Sequence, residues 1–275
     1  MHQAQVTPIV CVRGGAARRI DDSVAVERPL EIRVRIGGSE QVLTTTMRTP
    51  GEDEWLTAGF LHAEGIVHDA SDVLLFEALS DDAVVVELGP SAAAAVAASE
   101  RRFVTSSACG VCGRSSLAGM ETVARAPRPH DHPRLSAAVI HGLPAALRVA
   151  QATFERTGGL HAAALFSLDG ELVAVHEDVG RHNAVDKLVG RLLLAGWLPP
   201  APGVLMLSGR ASFELMQKAD VAGIPIVAAV GAPSNLAIER AAGAGMTLLG
   251  FVRDGGFNVY CGAARISGLS DAHAA

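Results

Sequence analysis

At 275 residues the chain is long enough for one large or two modest domains with a sizeable core. Hydrophobic residues make up 49% of it, a globular proportion, and the net charge of −6 argues against a general nucleic-acid binder. No apolar run approaches the roughly 20 residues of a membrane span, and Met1 to Arg19 lacks the leading positive region of a signal peptide, so the expected compartment is cytoplasmic.

Val24 to Ile36, Gly37-Gly38 and Gln41 to Met47 predict a β-hairpin with a Gly-Gly turn. A helix is predicted from Thr49-Pro50, with Pro50 near its first position and Glu52, Asp53 and Glu54 complementing its positive end. Trp55, Phe60 and Leu61 supply its apolar positions and Gly65 its stop. A second strand pair spans Val73 to Leu79 and Ala83 to Leu88, joined at Asp81-Asp82. Ala92 to Ala98 is a linker or short helix, and Arg101 to Thr105 is a strand that delivers the chain to a cysteine-bearing loop. Between Ala126 and Pro133 the composition turns to Pro, His, Arg and Asp, so the boundary falls there. Residues 1–128 form a small α+β unit and residues 129–275 a second unit.

The second unit opens with a helix from Leu143 to Arg156, ended by Thr157-Gly158-Gly159. A hairpin follows, Leu160 to Leu168 and Leu172 to His176 across Asp169-Gly170. Helices Asn183 to Ala195, Ser212 to Ala222 and Ser234 to Ala242 then alternate with strands Val204 to Leu207, Ile224 to Val230 and Met246 to Val252. Asp254-Gly255-Gly256 turns into a last strand, Phe257 to Cys261. Such alternation implies an α/β fold, with helices packed on a mixed or largely parallel sheet.

Ligands of such sheets bind at strand-to-helix turns. Two turns carry suitable residues, Leu207-Ser208-Gly209-Arg210-Ala211-Ser212 and Val230-Gly231-Ala232-Pro233-Ser234-Asn235. Small residues let backbone N–H groups approach an anion at a helix N-terminus, and Arg210 can pair with it. Ordinary N-capping by Ser212 and Ser234 is the plain alternative. His161 follows Gly158-Gly159, and His182 sits in the polar run Glu177 to Asn183. A lone histidine is ordinarily a satisfied or surface residue. Beside Asp178 and Arg181, however, the opening of a helix resembles a site more than a cap, and no role is assigned to either ring.

Cys109 and Cys112 form a C-x-x-C in Ser106-Ser107-Ala108-Cys109-Gly110-Val111-Cys112-Gly113-Arg114-Ser115-Ser116. Glycines and serines make this an exposed, bendable loop that presents its thiols to a partner. A structural disulfide suits neither the length of the chain nor its low cysteine count. Zinc would find only half of a structural shell in one such pair, so no metal site is assigned. Cys11 and Cys261 are isolated and expected to be small buried apolar residues. Thiol chemistry is the favoured reading, with Arg114 placed to favour the reactive thiolate, and zinc stays the lesser alternative.

Taken in order, Ser-Ala-Cys-Gly-Val-Cys-Gly, Thr157-Gly-Gly-Leu-His161, Glu177-Asp-Val-Gly-Arg-His-Asn-Ala-Val-Asp-Lys187, Leu207-Ser-Gly-Arg210 and Gly250-Phe-Val-Arg253 resemble the FdhD family, sulfur-carrier proteins required for formate dehydrogenase activity. The resemblance implies a cytidine deaminase-like three-layer α/β domain at the C-terminus and a smaller N-terminal α+β domain. It implies that sulfur arrives from a cysteine desulfurase and rests as a persulfide on Cys109. From there it passes to the molybdenum cofactor, bis-molybdopterin guanine dinucleotide, which is bound as substrate on its way to formate dehydrogenase. Cys112 assists release or shares the load. The family's cofactor-binding segment corresponds to Phe251, Val252, Arg253, Asp254, Gly255 and Gly256, where an arginine and a glycine turn suit the phosphates of a guanine nucleotide. A second basic residue expected near the end of that turn is replaced by Gly256. Expected partners are the desulfurase, formate dehydrogenase, the guanine nucleotide moiety and a second copy of the chain as a homodimer, with neither nucleic acid nor membrane among them. Two rival readings stay open: a non-catalytic chaperone that only binds the cofactor, and a zinc-dependent deaminase using His62-Ala63-Glu64. In the deaminase reading Ala108 stands where a proline is required, and His62 and Glu64 belong to a solvated helix end.

Overall fold

The computed structural model describes residues 2–97 and 134–269. Its first element pair is a hairpin of β1 (Ala4–Arg13) and β2 (Ala16–Ala25). Gly14 and Gly15, at φ +57° and +81°, make the left-handed two-residue turn that matches strand twist. Sequence reasoning predicts no strand before Val24 and one strand through to Ile36. The chain instead breaks after β2 and restarts as β3 (Arg28–Ile36), which turns into β4 (Ser39–Arg48). β2 escapes prediction because its residues are mostly charged or small and have no core behind them.

β5 (Val73–Ser80) and β6 (Ala83–Leu88) complete a four-stranded sheet in the order β4-β3-β6-β5, with β3 and β6 parallel. Alternate residues Leu30, Ile32 and Val34 are buried against α1 (Asp53–Ala63), which contributes Leu56, Ala58 and Leu61. This helix starts later than predicted. Thr49 is held out of it: its N–H donates to Asp178 Oδ2 (3.1 Å), its Oγ1 accepts from the Val179 N–H (3.1 Å), and its carbonyl accepts from Lys187 Nζ (3.1 Å).

In the second half, β7 (Leu135–Ser136) pairs with β14 (Ile266–Ser267). α2 (Ala137–Ala150) and α3 (Ala152–Thr157) replace the single predicted helix. Ser136 caps α2 through Val139 N (3.2 Å), so the helix begins before Leu143 and runs through Pro144. It breaks at Gln151, where the Glu177 carboxylate accepts from the N–H groups of Thr153 (2.8 Å) and Phe154 (2.7 Å) and opens α3.

The remaining strands form one six-stranded sheet: β8 (His161–Ser167), β9 (Leu172–Asp178), β10 (Gly203–Leu207), β11 (Ile226–Ala229), β12 (Thr247–Arg253) and β13 (Gly256–Cys261). Their order is β13-β12-β11-β10-β8-β9, with β10, β11 and β12 parallel and the others antiparallel to their neighbours. α4 (Arg181–Leu194), α5 (Phe213–Val221) and α6 (Asn235–Gly243) cover one face, against Ala163, Leu165, Leu205, Leu207 and Val227. The alternate residues Ala162, Ala164, Phe166, Val204 and Met206 pack on Ile140, Leu143 and Leu147 of α2. The mixed α/β architecture is the expected one. The boundary at residue 128 lies outside the described residues. Cys11 and Cys261, expected in the core, are half-buried, and Cys261 Sγ lies 3.5 Å from the Met246 carbonyl.

Candidate functional site

Three parallel strands end at one edge of the six-stranded sheet, and the antiparallel β8 begins there, since Ala163 pairs with Leu207 and His161 with Asp178. Backbone bonds stitch the successive turns together. Val230 N–H donates to the Leu207 carbonyl (3.0 Å), Gly231 to Gly209 (2.9 Å), Ala211 to Ala232 (3.2 Å) and Phe251 to Gly231 (3.1 Å). Gly250 is required for this closeness, because a β-carbon there would lie 2.9 Å from both Pro233 Cδ and Tyr260 Cε2.

Onto this edge the fold brings His161, Arg181, His182 and Arg210. His161 is half-buried, and its Nδ1 lies 3.3 Å from where a side chain on Gly209 would start. Burial first, then the charges of Arg181, His182 and Arg210, push its pKa below the usual histidine value, so the ring is neutral at neutral pH. Arg181, in the first turn of α4, has its Nε buried with no hydrogen-bond partner among the described residues. Arg210 is exposed. His182 Nε2 lies 3.4 Å from Ser212 Oγ and 3.8 Å from the Glu214 carboxylate. Pairing with His182 is the main reason the Glu214 pKa falls to about 2. The N-termini of α4, α5 and α6 follow the same strand ends, so their positive ends add to the field of the two arginines. A neutral imidazole, two guanidiniums and the positive ends of helices make an arrangement suited to a phosphate-bearing ligand.

Of the two turns singled out from sequence, one is partly an ordinary cap: Ser234 Oγ accepts from the Ala237 N–H (3.2 Å). Ser212 makes no such cap bond and turns to His182 instead. Ser208 is structural, its Oγ accepting from the Ala162 N–H (2.8 Å).

The polar run from Glu177 to Lys187 divides the same way. Asp178 is fully buried and accepts from the N–H groups of Thr49 and Gly180 (2.8 Å), from Asn183 Nδ2 (3.1 Å) and from Lys187 Nζ (2.9 Å). Asp186 holds Lys218 at 2.7 Å. These groups fix the frame, and Arg181 and His182 are left to face the site. His176, which sequence reasoning passed over, pairs with Glu52 (3.1 Å) and packs edge-on against Trp55 in the same frame.

The proposed cofactor segment is only partly at this edge. Phe251 is exposed, adopts φ +53° and is bonded to the Gly231 turn. Val252 is fully buried and offers no surface to a ligand. Arg253, Asp254 and Gly255 are exposed around the tip of the β12–β13 hairpin, where Arg253 pairs with Gly256. Cys109 and Cys112 lie outside the described residues. Among the described residues no three His, Cys, Asp or Glu side chains gather as metal ligands. His62, expected on a solvated helix end, is buried, with Nδ1 2.9 Å from the Val67 carbonyl. No helix among the described residues is long and apolar enough to cross a membrane.

The sequence profile of the FdhD/NarQ family matches residues 25–267. A protein of Streptomyces avermitilis named Sulfur carrier protein FdhD is 48% identical over 269 residues, covering 94% of each chain. One of the same name from Sulfolobus acidocaldarius is 44% identical over 264 residues, covering 96% of this chain and 99% of that one. A crystal structure of a formate dehydrogenase accessory protein from Desulfotalea psychrophila shares the fold, with a TM-score of 0.74 at 24% identity over 96% of this chain and 100% of that one. The chain is a member of the FdhD/NarQ family.

Proposed function

We propose that this protein is a sulfur carrier that takes sulfane sulfur from a cysteine desulfurase and passes it to the molybdenum cofactor destined for formate dehydrogenase. The observation that carries this reading is the C-x-x-C of Cys109 and Cys112 in a chain whose relatives at 44–48% identity are named sulfur carriers. The Cys109 thiolate attacks the outer sulfur of the donor's persulfide. The new S–S bond leaves Cys109 as a persulfide and returns the donor's cysteine as thiolate. Cys112 can then attack Cys109 Sγ, which forms the Cys109–Cys112 disulfide and releases the outer sulfur as hydrosulfide to the acceptor. A thiol reductant must restore the pair afterwards. The cofactor is the substrate of this step.

The electropositive sheet edge supports binding of the cofactor's diphosphate, between the Arg181–Arg210 cluster and the Phe251–Gly256 segment. A sheet with helices on both faces supports reading residues 129–275 as a cytidine deaminase-like layered domain and residues 1–128 as a separate N-terminal domain. Work in the cytoplasm follows from the chemistry of a reactive thiol.

Mass spectrometry after incubation with a desulfurase and cysteine tests the reading. A gain of one sulfur on the Cys109 peptide, absent in Cys109→Ala, is expected, together with loss of formate dehydrogenase activation by that variant. Full activation by Cys109→Ala would leave the protein a cofactor-binding chaperone.

A further inference from the structure

Between Asp178 and Asn183 the chain leaves β9, turns and enters α4, and the two residues that face the sheet-edge site, Arg181 and His182, are the first two of that helix. Gly180, at the N-cap, has no side chain to hold the turn. The buried amide of Asn183 holds it instead. Its Nδ2 donates to the Met47 carbonyl (2.7 Å) and to Asp178 Oδ1 (3.1 Å), and its Oδ1 accepts from Thr46 Oγ1 (3.5 Å). Asp178 Oδ1 closes the turn by accepting from the Gly180 N–H as well (2.8 Å). Gly180 makes room for the clamp, since a β-carbon there would lie 3.1 Å from Asn183 Nδ2.

Both groups facing Nδ2 are acceptors, so the position calls for a side chain with two N–H donors. With both donors and the oxygen committed to protein groups, Asn183 has nothing to spare for a ligand. Its neighbours are held less firmly from their outer ends. His182 Nε2 has a long contact to Ser212 Oγ (3.4 Å), and Arg181 Nε has no hydrogen-bond partner among the described residues. Their direction therefore rests on the backbone that Asn183 clamps. Thr46 and Met47 belong to β4, so the clamp is anchored in the four-stranded unit.

We propose that Asn183 is a positioning residue: through the Met47 carbonyl and Asp178 it aims Arg181 and His182 at the phosphate-bearing ligand. The assignment rests on the reading of the sheet edge as the ligand site. It makes the four-stranded unit necessary to that site although β4 need not touch the ligand. By linkage, whatever loosens the contact between β4 and α4 weakens the ligand, and the bound ligand tightens that contact.

Calorimetry with GDP on the full chain, together with the NMR signals of the His182 ring, tests this. Asn183→Asp keeps the shape but turns acceptor oxygens on the Met47 carbonyl and on Asp178. Loss of aim at an arginine–phosphate contact should weaken GDP at least about tenfold and move the His182 signals. Asn183→Ala, which removes the clamp without adding charge, should change both in the same direction and carries the test if the first variant does not fold. Ile140→Ala, a core truncation in α2 on the other face of the sheet, is the control. It should lower the melting temperature while GDP affinity and the His182 signals stay as in wild type. Equal losses in Ile140→Ala would make general destabilisation the cause and overturn the assignment. So would wild-type GDP affinity in both Asn183 variants, or weakened GDP with the His182 signals unmoved, which would make Asn183 a ligand contact. If GDP does not bind the wild type, the ligand reading fails by itself. The His182 signals then decide the positioning alone, moved signals upholding it and unmoved ones overturning it.

Discussion

Gly59 and Gly190 meet backbone to backbone where α1 crosses α4. A β-carbon on Gly190 would lie 2.7 Å from the Gly59 nitrogen and closer still to the Trp55 carbonyl, and one on Gly59 would overlap the Asp186 carbonyl. Both glycines sit inside helices, where they cost stability relative to alanine. The crossing offsets that cost, because it lets the helix of the four-stranded unit lie directly on a helix of the six-stranded one.

Gly59→Ala and Gly190→Ala should therefore destabilise the protein by at least about 1–3 kcal/mol, the overpacking range. Gly142 in α2 has open space where a β-carbon would sit, with nothing within 4 Å, and Gly142→Ala should stabilise by about 0.5–1 kcal/mol. Urea denaturation of the three variants checks the contrast. Equal midpoints would mean that the helices can part at no cost.

Lys187 is fully buried with its Nζ 2.9 Å from the fully buried Asp178 carboxylate. Lys187→Met keeps much of the volume and leaves a buried carboxylate without its cation, so a loss of about 3–5 kcal/mol is expected. A melting temperature equal to wild type would show that the N–H donors to Asp178 suffice alone.

Acid should weaken the fold in two steps. The His161 pKa is depressed, so its contribution is complete above about pH 6.5 and declines as pH falls below it, where the unfolded chain takes a proton that the folded ring resists. Glu214 is depressed from 4.5 to about 2, so its contribution is complete above pH 4.5 and is lost as pH falls toward 2. His161→Gln should flatten the upper part of the stability–pH profile and Glu214→Gln the lower part. Salt should shrink the second effect more, since Glu214 is half-exposed. Profiles unchanged by either variant would remove both groups from the balance.

Arg181, Arg210 and Arg253 allow the nucleotide site to be mapped by calorimetry with GDP and ADP. A charge-assisted arginine–phosphate contact contributes about 1.5–3 kcal/mol, so alanine at a contacting position should weaken GDP roughly 10- to 100-fold. Weakening by all three places the diphosphate across the sheet edge and the β12–β13 hairpin together. Weakening by Arg253→Ala alone would confine it to the hairpin, and an unaffected Arg253→Ala would move it wholly to the Arg181–Arg210 cluster.

The alternation of strands and helices after residue 160 was legible because Val204 to Leu207 and Ile226 to Ala229 are short apolar runs between helical segments. The start of α2 was not, since Pro144 reads as a first-turn proline while Ser136, further back, makes the cap. His161, His182 and Arg210 stood out singly, yet only the sheet register reveals that they share one edge. Polar density misled at Asp178: a fully buried carboxylate paired with a buried lysine and a solvent-facing site have the same residue types, and only burial separates them. The β1–β2 arm was missed because a ribbon without a core shows no one-sided alternation.

Asp178 also dictates an order of events as the chain is made. Its carboxylate draws on Thr49, and its cation Lys187 reaches back to the Thr49 carbonyl, across sequence separations of 129 and 138 residues. During synthesis the four-stranded unit leaves the ribosome long before either acidic or basic partner exists. Until α4 emerges, Thr49 has none of these partners, and the glycine face of α1 lies open to water. The N-terminal half must wait, incomplete, for a helix encoded near residue 190, which is the kind of long-range closure that makes folding slow.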